Sequence, residues 1–454
     1  MSTQSILTFS SDDYALSTDL YQLTMAAGYF ENRVDHRAIF ELFVREMPRN
    51  RGYMVFAGLE QVVEYLNELK FTEGQVAYLR SLPQFENVSE EFFEYLLKFK
   101  FRGDQDAMPE GTVFFPTEPV LRVEGPAIDA QIVESFILSV VNFQSLIATK
   151  ASRITSAAKG CPVIEFGLRR SHSPAAGLMG VRGALIGGCL GTSNVLAAQR
   201  TGAKPFGTMS HSWVMNFPTE KKSFLAFYKV FPNHSLFLLD TYNVLDSARL
   251  VTELEIERVD GVRLDSGNIE DLASDVRRIL NKARQKKAKI FATGDLNEHI
   301  IESLLKEDAP IDSFGVGTEL ITSRDDPAMG GIYKLVGIRK NGVCEYKMKL
   351  SSEKETLPGP KQVYRVMSGG RYKEDHILEV SEKPKKGAEP LLRPIMKDGR
   401  LIEPLPSMND AVTRHHETLK DFPSSIKDLR KPAHYPVKIS SHLEYLSKVS
   451  VEQL

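Results

Sequence analysis

Short apolar runs that end in arginine, histidine or hydroxyl residues recur through the middle of the chain. The run 162–166 is followed by Arg169, and the apolar stub 205–206 is followed by Thr208 and His211. Strand ends with this composition form the active face of barrels and doubly wound sheets. The pattern therefore predicts that side chains from several strand ends converge on one anionic ligand.

Three later runs, GVRLDSGN, IFATGD and FGVGT, end in the same way. They supply Arg263, Asp265, Gly294, Asp295, Gly317 and Thr318. Glycine lets a backbone approach phosphate closely, and carboxylates hold Mg²⁺ or a ribose diol. Each signal alone has an ordinary structural explanation, since a glycine-rich turn is commonly only a turn and a single histidine is commonly structural. Five strand ends together predict a polyanion site without naming a reaction.

The segments between these runs have helical periodicity. Helices are predicted over 244–254, 268–287 and 296–308, each placed between two strand-like runs. Repeated strand–helix units predict a parallel sheet, most simply one that closes. The expected fold class is α/β, with an irregular (β/α) TIM-like barrel as its central domain.

The flanking segments have different patterns, which predict three parts. Residues 1–145 are expected to form an α+β domain with a helical link, and 146–337 the barrel. Residues 338–454 are expected to be antiparallel β, ending in a helix and packing with the N-terminal domain. The dipeptide Asn341-Gly342 between two apolar runs is the clearest hairpin signal.

The composition is typical of a globular cytoplasmic protein. The 454 residues carry a net charge of −2, which argues against general binding to nucleic acid or to a membrane surface. The three cysteines are far apart and form no CxxC motif. No leader-like segment begins the chain, and no uninterrupted apolar run approaches the roughly 20 residues that span a bilayer.

Seven motifs, spread from about residue 14 to the C-terminal hairpins, resemble nicotinate phosphoribosyltransferases. They are STDLYQLTMA, FGLRR, GTSNVLA, GTMSHSW, GVRLDSGN, FGVGT and MKLSSEKETLPG. The resemblance implies that nicotinate, 5-phosphoribosyl 1-diphosphate, ATP and water give nicotinate mononucleotide, diphosphate, ADP and phosphate. This is the first step of NAD synthesis from nicotinate, and its coupling to ATP classes such an enzyme as a ligase.

The resemblance also assigns residues to the pyridine ring and its carboxylate. It implies that Phe166 stacks on one face of the ring and that Tyr21 of the second subunit of a homodimer covers the other. Arg169 and Arg263 would bind the carboxylate or the diphosphate, and Thr208 would bind the substrate. From the residues alone, Phe166 fits core packing and Tyr21 an amphipathic helix equally well.

The phosphoribosyl group and its metal have their own set of residues in the resemblance. Asp265 would contact the ribose or its metal, Gly294 and Asp295 the ribose phosphate, and Gly317 and Thr318 the 5-phosphate. Mg²⁺ would be held mainly through the diphosphate, with Asp265 or Asp295 as the protein ligand.

Two further residues are implied in ATP coupling and in substrate choice. His211 would accept a phosphoryl group from ATP, since a neutral imidazole is a nucleophile near pH 7. Ser193 stands where the nicotinamide-using relatives carry aspartate, and an uncharged residue favours nicotinate. Ser193 as the cap of the following helix is the alternative.

Two other functions remain open at this point. Quinolinate phosphoribosyltransferase would need more cationic groups at the ring pocket and no ATP. A barrel without catalytic activity, which binds nucleotides as a regulator, belongs to a different class and would release no diphosphate.

Overall fold

The computed structural model describes residues 9–349 and 356–452, and the chain forms two compact units. The first unit combines Met1–Ser145 with Ala328–Leu454, and the second is Leu146–Pro327. The three-part division predicted from the sequence stays a prediction. Part of the MKLSSEKETLPG motif, 350–355, lies outside the described residues.

The N-terminal part of the first unit mixes helices and strands. Its elements are a 3-10 helix (Ser11–Leu16), α1 (Leu20–Glu31), β1 (Arg37–Val44), β2 (Met54–Val55), α2 (Leu59–Glu68), α3 (Glu73–Arg80), a 3-10 helix (Pro83–Phe85), α4 (Glu90–Leu97), β3 (Asp104–Ala107), β4 (Val113–Phe114), β5 (Leu121–Pro126) and α5 (Ala127–Ile132). α3 begins with a reciprocal cap, in which Gln75 N–H donates to Thr72 Oγ1 and Thr72 N–H donates to Gln75 Oε1.

The long helix α6 (Glu134–Ala157) follows α5 directly. Among the described residues, 127–157 is the one helical stretch long and apolar enough, by length and composition, to cross a membrane. Of its most apolar window, 72% is buried inside the protein. That burial is expected of a core helix.

The second unit alternates strands and helices, as predicted. Its elements after α6 are β6 (Val163–Glu165), a 3-10 helix (Leu168–Arg170), α7 (Pro174–Ile186), β7 (Gly191–Thr192), α8 (Val195–Thr201), β8 (Lys204–Pro205), α9 (His211–Met215), α10 (Glu220–Val230), β9 (Leu236–Leu238), α11 (Val244–Thr252), β10 (Gly261–Leu264), α12 (Ile269–Lys282), β11 (Lys289–Ala292), α13 (Glu298–Lys306), β12 (Ser313–Val316) and α14 (Thr318–Ile321). Buried apolar side chains in α12 recur at Ala273, Val276 and Leu280, which is the spacing of one helix face.

The described strands of this unit form one parallel sheet in the order β8-β7-β6-β12-β11-β10-β9. The chain is therefore α/β, and all strands direct their carboxyl ends to the same edge. In this order β8 and β9 are the outermost strands. Past the end of β8, however, Thr208 Oγ1 donates a hydrogen bond to Leu236 O of β9, so the sheet is curled toward a barrel.

The C-terminal part of the first unit is mainly antiparallel. Its elements are β13 (Gly331–Lys340), β14 (Val343–Tyr346), β15 (Lys361–Ser368), β16 (Arg371–Glu379), β17 (Glu389–Pro390), β18 (Arg393–Lys397), β19 (Arg400–Leu401), α15 (Met408–Asp421), a 3-10 helix (Ser424–Lys427), β20 (Val437–Ile439) and α16 (Ser441–Glu452). The described strands of the unit form three sheets, β14-β13-β1-β5-β3-β18-β19, β17-β15-β16-β20 and β2-β4. Asn341 and Gly342 join β13 to β14 with φ of 51° and 80°, as a two-residue hairpin turn requires.

One helix of this region was not predicted. In α15 the fully buried positions are Ala411 and His415, so the helix lacks the broad apolar stripe that would reveal it in the sequence.

Candidate active site

A cavity of about 220 Å³ lies at the carboxyl ends of the strands in the second unit. Its lining comes from β10 and β12 and from the turns after β6, β10, β11 and β12. The residues are Phe166, Arg169, Arg170, Arg263, Asp265, Thr293, Gly294, Asp295, Gly315, Gly317 and Thr318. Three arginines face two carboxylates across a small space, which suits an anionic ligand with hydroxyl groups.

The turn after β6 presents an aromatic ring to this cavity. Phe166 is half-buried, its N–H donates to Val316 O at 2.8 Å, and its ring lies edge-on to Phe291 with centroids 5.5 Å apart. An aromatic ring at a cavity wall is a surface on which a flat ligand can stack. Phe166 lines this cavity and is not among the buried core residues, and its stacking on a pyridine ring stays a prediction.

Glu165 holds this turn and the next one together. Its buried carboxylate accepts hydrogen bonds from Gly167 N–H and from Thr192 Oγ1, the latter at 2.6 Å. Burial raises the pKa of Glu165, although the two hydrogen bonds oppose the rise. Ser193 N–H donates to Glu165 O at 2.9 Å, so the GTSN turn rests on the same residue.

Arg263 and Asp265 form a fixed pair at the end of β10. Arg263 donates from Nη2 to Asp265 Oδ1 at 2.8 Å, from Nε to Thr293 Oγ1 at 3.0 Å and from Nη1 to Met209 O at 3.3 Å. Burial opposes ionisation of Asp265, but hydrogen bonds from Thr293 and Arg263 and the charge of Arg263 outweigh it, so the pKa of Asp265 is lowered. Two of the five guanidinium N–H groups remain for a ligand.

Glycine is required at two positions that line the cavity, one in the turn after β11 and one within β12. Gly294 has φ of 103°, and a Cβ there would lie 2.5 Å from Asp265 O. A Cβ on Gly315 would lie 2.7 Å from Thr293 Cγ2 and 3.0 Å from Phe166 Cδ2. Side chains at these positions would close the space that the ligand needs.

His211 begins α9 and lies beside two carboxylates. Its Nδ1 is hydrogen-bonded to Thr241 Oγ1 at 3.2 Å, and its Nε2 lies 3.9 Å from Asp240 Oδ2 and from Asp265 Oδ2. Asp240 Oδ2 also accepts a hydrogen bond from Ser266 Oγ. Asp240 Oδ1 is buried and has no hydrogen-bond partner among the described residues.

This cluster has the donor set for a divalent cation. One ligand atom from each of His211, Asp240 and Asp265 lies within 4.8 Å of the others. The two carboxylates suit Mg²⁺ or Mn²⁺, and the unpaired Asp240 Oδ1 is an oxygen that such an ion would satisfy.

The cavity brings together eight of the twelve residues that the sequence predicted. The eight are Phe166, Arg169, Arg263, Asp265, Gly294, Asp295, Gly317 and Thr318. His211 adjoins this group through Asp265. Thr208 and Ser193 do not line the cavity, and Tyr21 lies in the first unit, 49% exposed in the first turn of α1.

The alternative in which Ser193 caps the following helix was wrong. Asn194, not Ser193, caps α8, because Asn194 Oδ1 accepts from Ala197 N–H at 3.1 Å. α12 begins after Asn268, so Asp265 is free of a capping role and belongs to the site.

Sequence reasoning missed Asp240, Thr241, Thr293 and Glu165. Asp240 and Thr241 follow the run SLFLL, so the rule that found the other strand ends would have found them too. Glu165 could not be found by this rule, because it lies inside a strand-like run and Thr192, to which it is hydrogen-bonded, is 27 positions away.

Comparison with known proteins gives consistent results along the chain. Models of the nicotinate phosphoribosyltransferase N-terminal domain, family and C-terminal domain match residues 16–142, 161–343 and 384–447. The chain is 40% identical over 436 residues to nicotinate phosphoribosyltransferase of Mycobacterium tuberculosis, covering 94% of this chain and 92% of the relative. It is 38% identical over 467 residues to the Bacillus subtilis enzyme of the same name, covering 95% and 94%.

A solved structure has the same fold. The crystal structure of human nicotinic acid phosphoribosyltransferase superposes with a TM-score of 0.84 at 28% identity, covering 95% of this chain and 99% of the human one.

Proposed function

The chain belongs to the nicotinate phosphoribosyltransferase family, and from this premise we propose the reaction that its site carries out. Nicotinate and 5-phosphoribosyl 1-diphosphate give nicotinate mononucleotide and diphosphate, with hydrolysis of ATP to ADP and phosphate. This reaction brings nicotinate into NAD synthesis.

One observation carries the proposal. The aromatic ring of Phe166, the arginines Arg169 and Arg263, and the turns at Gly294 and Gly317 all line a single cavity. A flat anionic ring and a phosphorylated sugar are the ligands that this combination suits.

The chemistry needs positioning and charge more than proton transfer. Departure of diphosphate from ribose C1 gives oxocarbenium character, and the arginines stabilise the charge of the leaving group. Phe166 would hold the pyridine ring so that its nitrogen faces C1, which lowers the entropic barrier to attack. Asp265, kept ionised by its lowered pKa, would contact the ribose, and Gly317 and Thr318 would bind the 5-phosphate. The mechanism uses no general base.

His211 is the proposed acceptor of the phosphoryl group of ATP. Nδ1 is engaged by Thr241, so Nε2 is the nitrogen left to attack the γ-phosphorus, with ADP as the leaving group. Water then cleaves the phosphohistidine to give phosphate. The phosphorylated ring would order the site for phosphoribosyl diphosphate and so couple the two reactions.

Mg²⁺ is the proposed metal, held mainly through the diphosphate, with the carboxylates of Asp240 and Asp265 as its protein ligands, so that His211 Nε2 keeps its lone pair for ATP. When bound, it would supply positive charge that offsets the anionic oxygens of the reactants. Asp240 is added here as a ligand beside Asp265, and Asp295 stays the alternative predicted from the sequence.

Three broader features belong to the same proposal. The curled sheet is taken as an irregular barrel, and the protein as cytoplasmic. The active form is a homodimer in which Tyr21 of the second subunit covers the open face of the nicotinate ring, with Thr208 and Ser193 at the edge of the pocket.

The test is a product assay with nicotinate, nicotinamide and quinolinate, each with and without ATP. We expect nicotinate mononucleotide from nicotinate, formed faster with ATP. Product from quinolinate that is independent of ATP would instead indicate the decarboxylating enzyme. Absence of diphosphate release with every substrate would indicate a binding protein.

A further inference from the structure

A lysine buried in the second unit has no role in the chemistry described so far. Lys150, on α6, has a side chain that is 1% exposed. Its Nζ lies 2.6 Å from Glu298 Oε2, 2.9 Å from Asp325 Oδ1 and 3.9 Å from Glu319 Oε2. The ammonium group is therefore surrounded by three carboxylates.

The partners of Lys150 come from two separate turns of the active face. Glu298 is the first residue of α13, three positions after Asp295. Glu319 follows Thr318 in α14, and Asp325 lies in the loop after that helix. One side chain thus joins the turn that holds Gly294 to the turn that holds Gly317.

The charges of this cluster are balanced within it. Arg153 Nε donates to Glu298 Oε1 at 3.0 Å, and Arg324 Nη1 lies 3.4 Å from Glu319 Oε1. Burial would raise the pKa of Glu298, but the charges of Lys150 and Arg153 outweigh it and the pKa is lowered, so the carboxylate stays ionised.

A buried ion pair is a poor way to gain stability. Well-packed apolar residues in the same volume are often equally stabilising, whereas an ion pair fixes the relative positions of the elements it joins. The place of Lys150 between two turns of the cavity indicates that geometry, rather than stability, is its contribution.

We propose that Lys150 is a positioning residue that holds the Gly294 and Gly317 turns at the separation needed to bind 5-phosphoribosyl 1-diphosphate. The proposal rests on the proposed function of this site. Lys150 does not line the cavity, and it acts through Glu298, Glu319 and Asp325.

The test compares two buried lysines. Lys150→Met removes the charge with little change in volume. The matched control is Lys361→Met in the first unit, where Lys361 is 3% exposed and its Nζ lies 2.7 Å from Glu41 Oε2. KM and kcat are measured for each substrate, together with thermal midpoints and calorimetric binding of 5-phosphoribosyl 1-diphosphate.

We expect Lys150→Met to raise KM and Kd for phosphoribosyl diphosphate about tenfold, because small displacements in a preorganised site have effects of this size or larger. KM for nicotinate should change less than about twofold, since the turn after β6 is held by Glu165 instead. Lys361→Met should lower the thermal midpoint without changing either KM.

A second variant covers the case in which Lys150→Met does not fold. Asp325 is 27% exposed, and Asp325→Asn should give a smaller rise in KM for phosphoribosyl diphosphate alone. An unchanged KM and Kd in a folded Lys150→Met or in Asp325→Asn would overturn the inference, as would an equal rise in Lys361→Met. Lack of activity in the unmodified protein would instead contradict the proposed function, which separates the two failures.

Discussion

Several side chains of the site act mainly on their neighbours. Arg263 directs three of its N–H groups to Asp265, Thr293 and Met209, so the guanidinium is oriented before a ligand arrives. The carboxylate of Glu165 likewise orients two turns, because it accepts hydrogen bonds from Gly167 N–H and from Thr192 Oγ1. Preorganised charge of this kind is worth more than mobile charge, because no reorganisation is needed during the reaction.

Replacing His211 with alanine should abolish the stimulation of product formation by ATP and leave basal transfer. The cavity residues that bind nicotinate and the sugar remain in place, whereas the phosphoryl acceptor is gone. The measurement is nicotinate mononucleotide formed with and without ATP. The exposed His234 is the control, and His234→Ala should keep the stimulation. Full stimulation in His211→Ala would refute the role of His211.

The residue at position 193 should influence the choice between nicotinate, which is an acid, and nicotinamide, which is an amide. Ser193→Asp should lower kcat/KM for nicotinate at least about tenfold, because like charges brought together in a pocket repel by several kcal/mol. Ser193→Asn, without the charge, is the control and should have a smaller effect. An unchanged ratio of nicotinate to nicotinamide turnover in Ser193→Asp would remove this argument.

At the scale of elements, the strands are short and the turns after them carry the site. β7 and β8 have two residues each, and β9 has three. The turns after β6, β11 and β12 are held by the carboxylate of Glu165 and the ammonium group of Lys150. The conformation of a turn should therefore matter more for activity than the length of its strand.

Gly294→Ala tests this importance of a turn. The added methyl group meets Asp265 O at 2.5 Å, so the backbone of one of the two residues must move. We expect kcat/KM for phosphoribosyl diphosphate to fall about tenfold or more. Gly160 has a similar φ of 93° with open space around it, and Gly160→Ala should lower stability without this loss. Equal effects of both changes on activity would contradict the prediction.

The helix α15 should make stability depend on pH. Burial of His415 lowers its pKa from 6.5 to about 4. The unfolded chain takes up this proton near pH 6.5 and the folded chain only near 4, so stability is lost as pH falls between these values. The loss is about 3 kcal/mol in the free energy of unfolding. Urea unfolding at several pH values should show a weaker pH dependence in His415→Gln, while His234→Gln, at an exposed position that does not contribute to the shift, should behave as the parent.

At the scale of the whole molecule, apolar side chains are exposed around the active face of the second unit. Leu168, Val195, Leu196 and Tyr242 each lie three or four residues after the end of a strand and are between 39% and 72% exposed. A rim of this kind is typical of a surface that another chain covers. It supports the proposed homodimer with shared sites.

Mixed dimers test the sharing directly. Each variant alone, Tyr21→Ala or Arg169→Ala, should be nearly inactive, because both active sites of its homodimer lack one of the two side chains. After unfolding and refolding together, half of the dimers should be mixed, and each should contain one intact site. We therefore expect about a quarter of the parent activity. Mass measurement should first show that mixed dimers form. If activity does not recover in them, Tyr21 and Arg169 act in the site of the same subunit or lie outside it.

The sequence alone determined the alternation of strands and helices from 161 to 318, the hairpin at Asn341-Gly342 and most of the residues that line the cavity. These features depend on local physics. Hydrophobic periodicity, glycine conformations and the composition of strand ends are properties of neighbouring residues, so they can be predicted from the sequence.

The tertiary structure decided what depends on distant residues. Lys150 meets Glu298 across 148 positions, and Glu165 meets Thr192 across 27. Asp240 joins His211 only because β9 and the end of β8 are brought together when the sheet curls. Contacts of this kind are set by the packing of whole elements, and no local pattern in the chain records them.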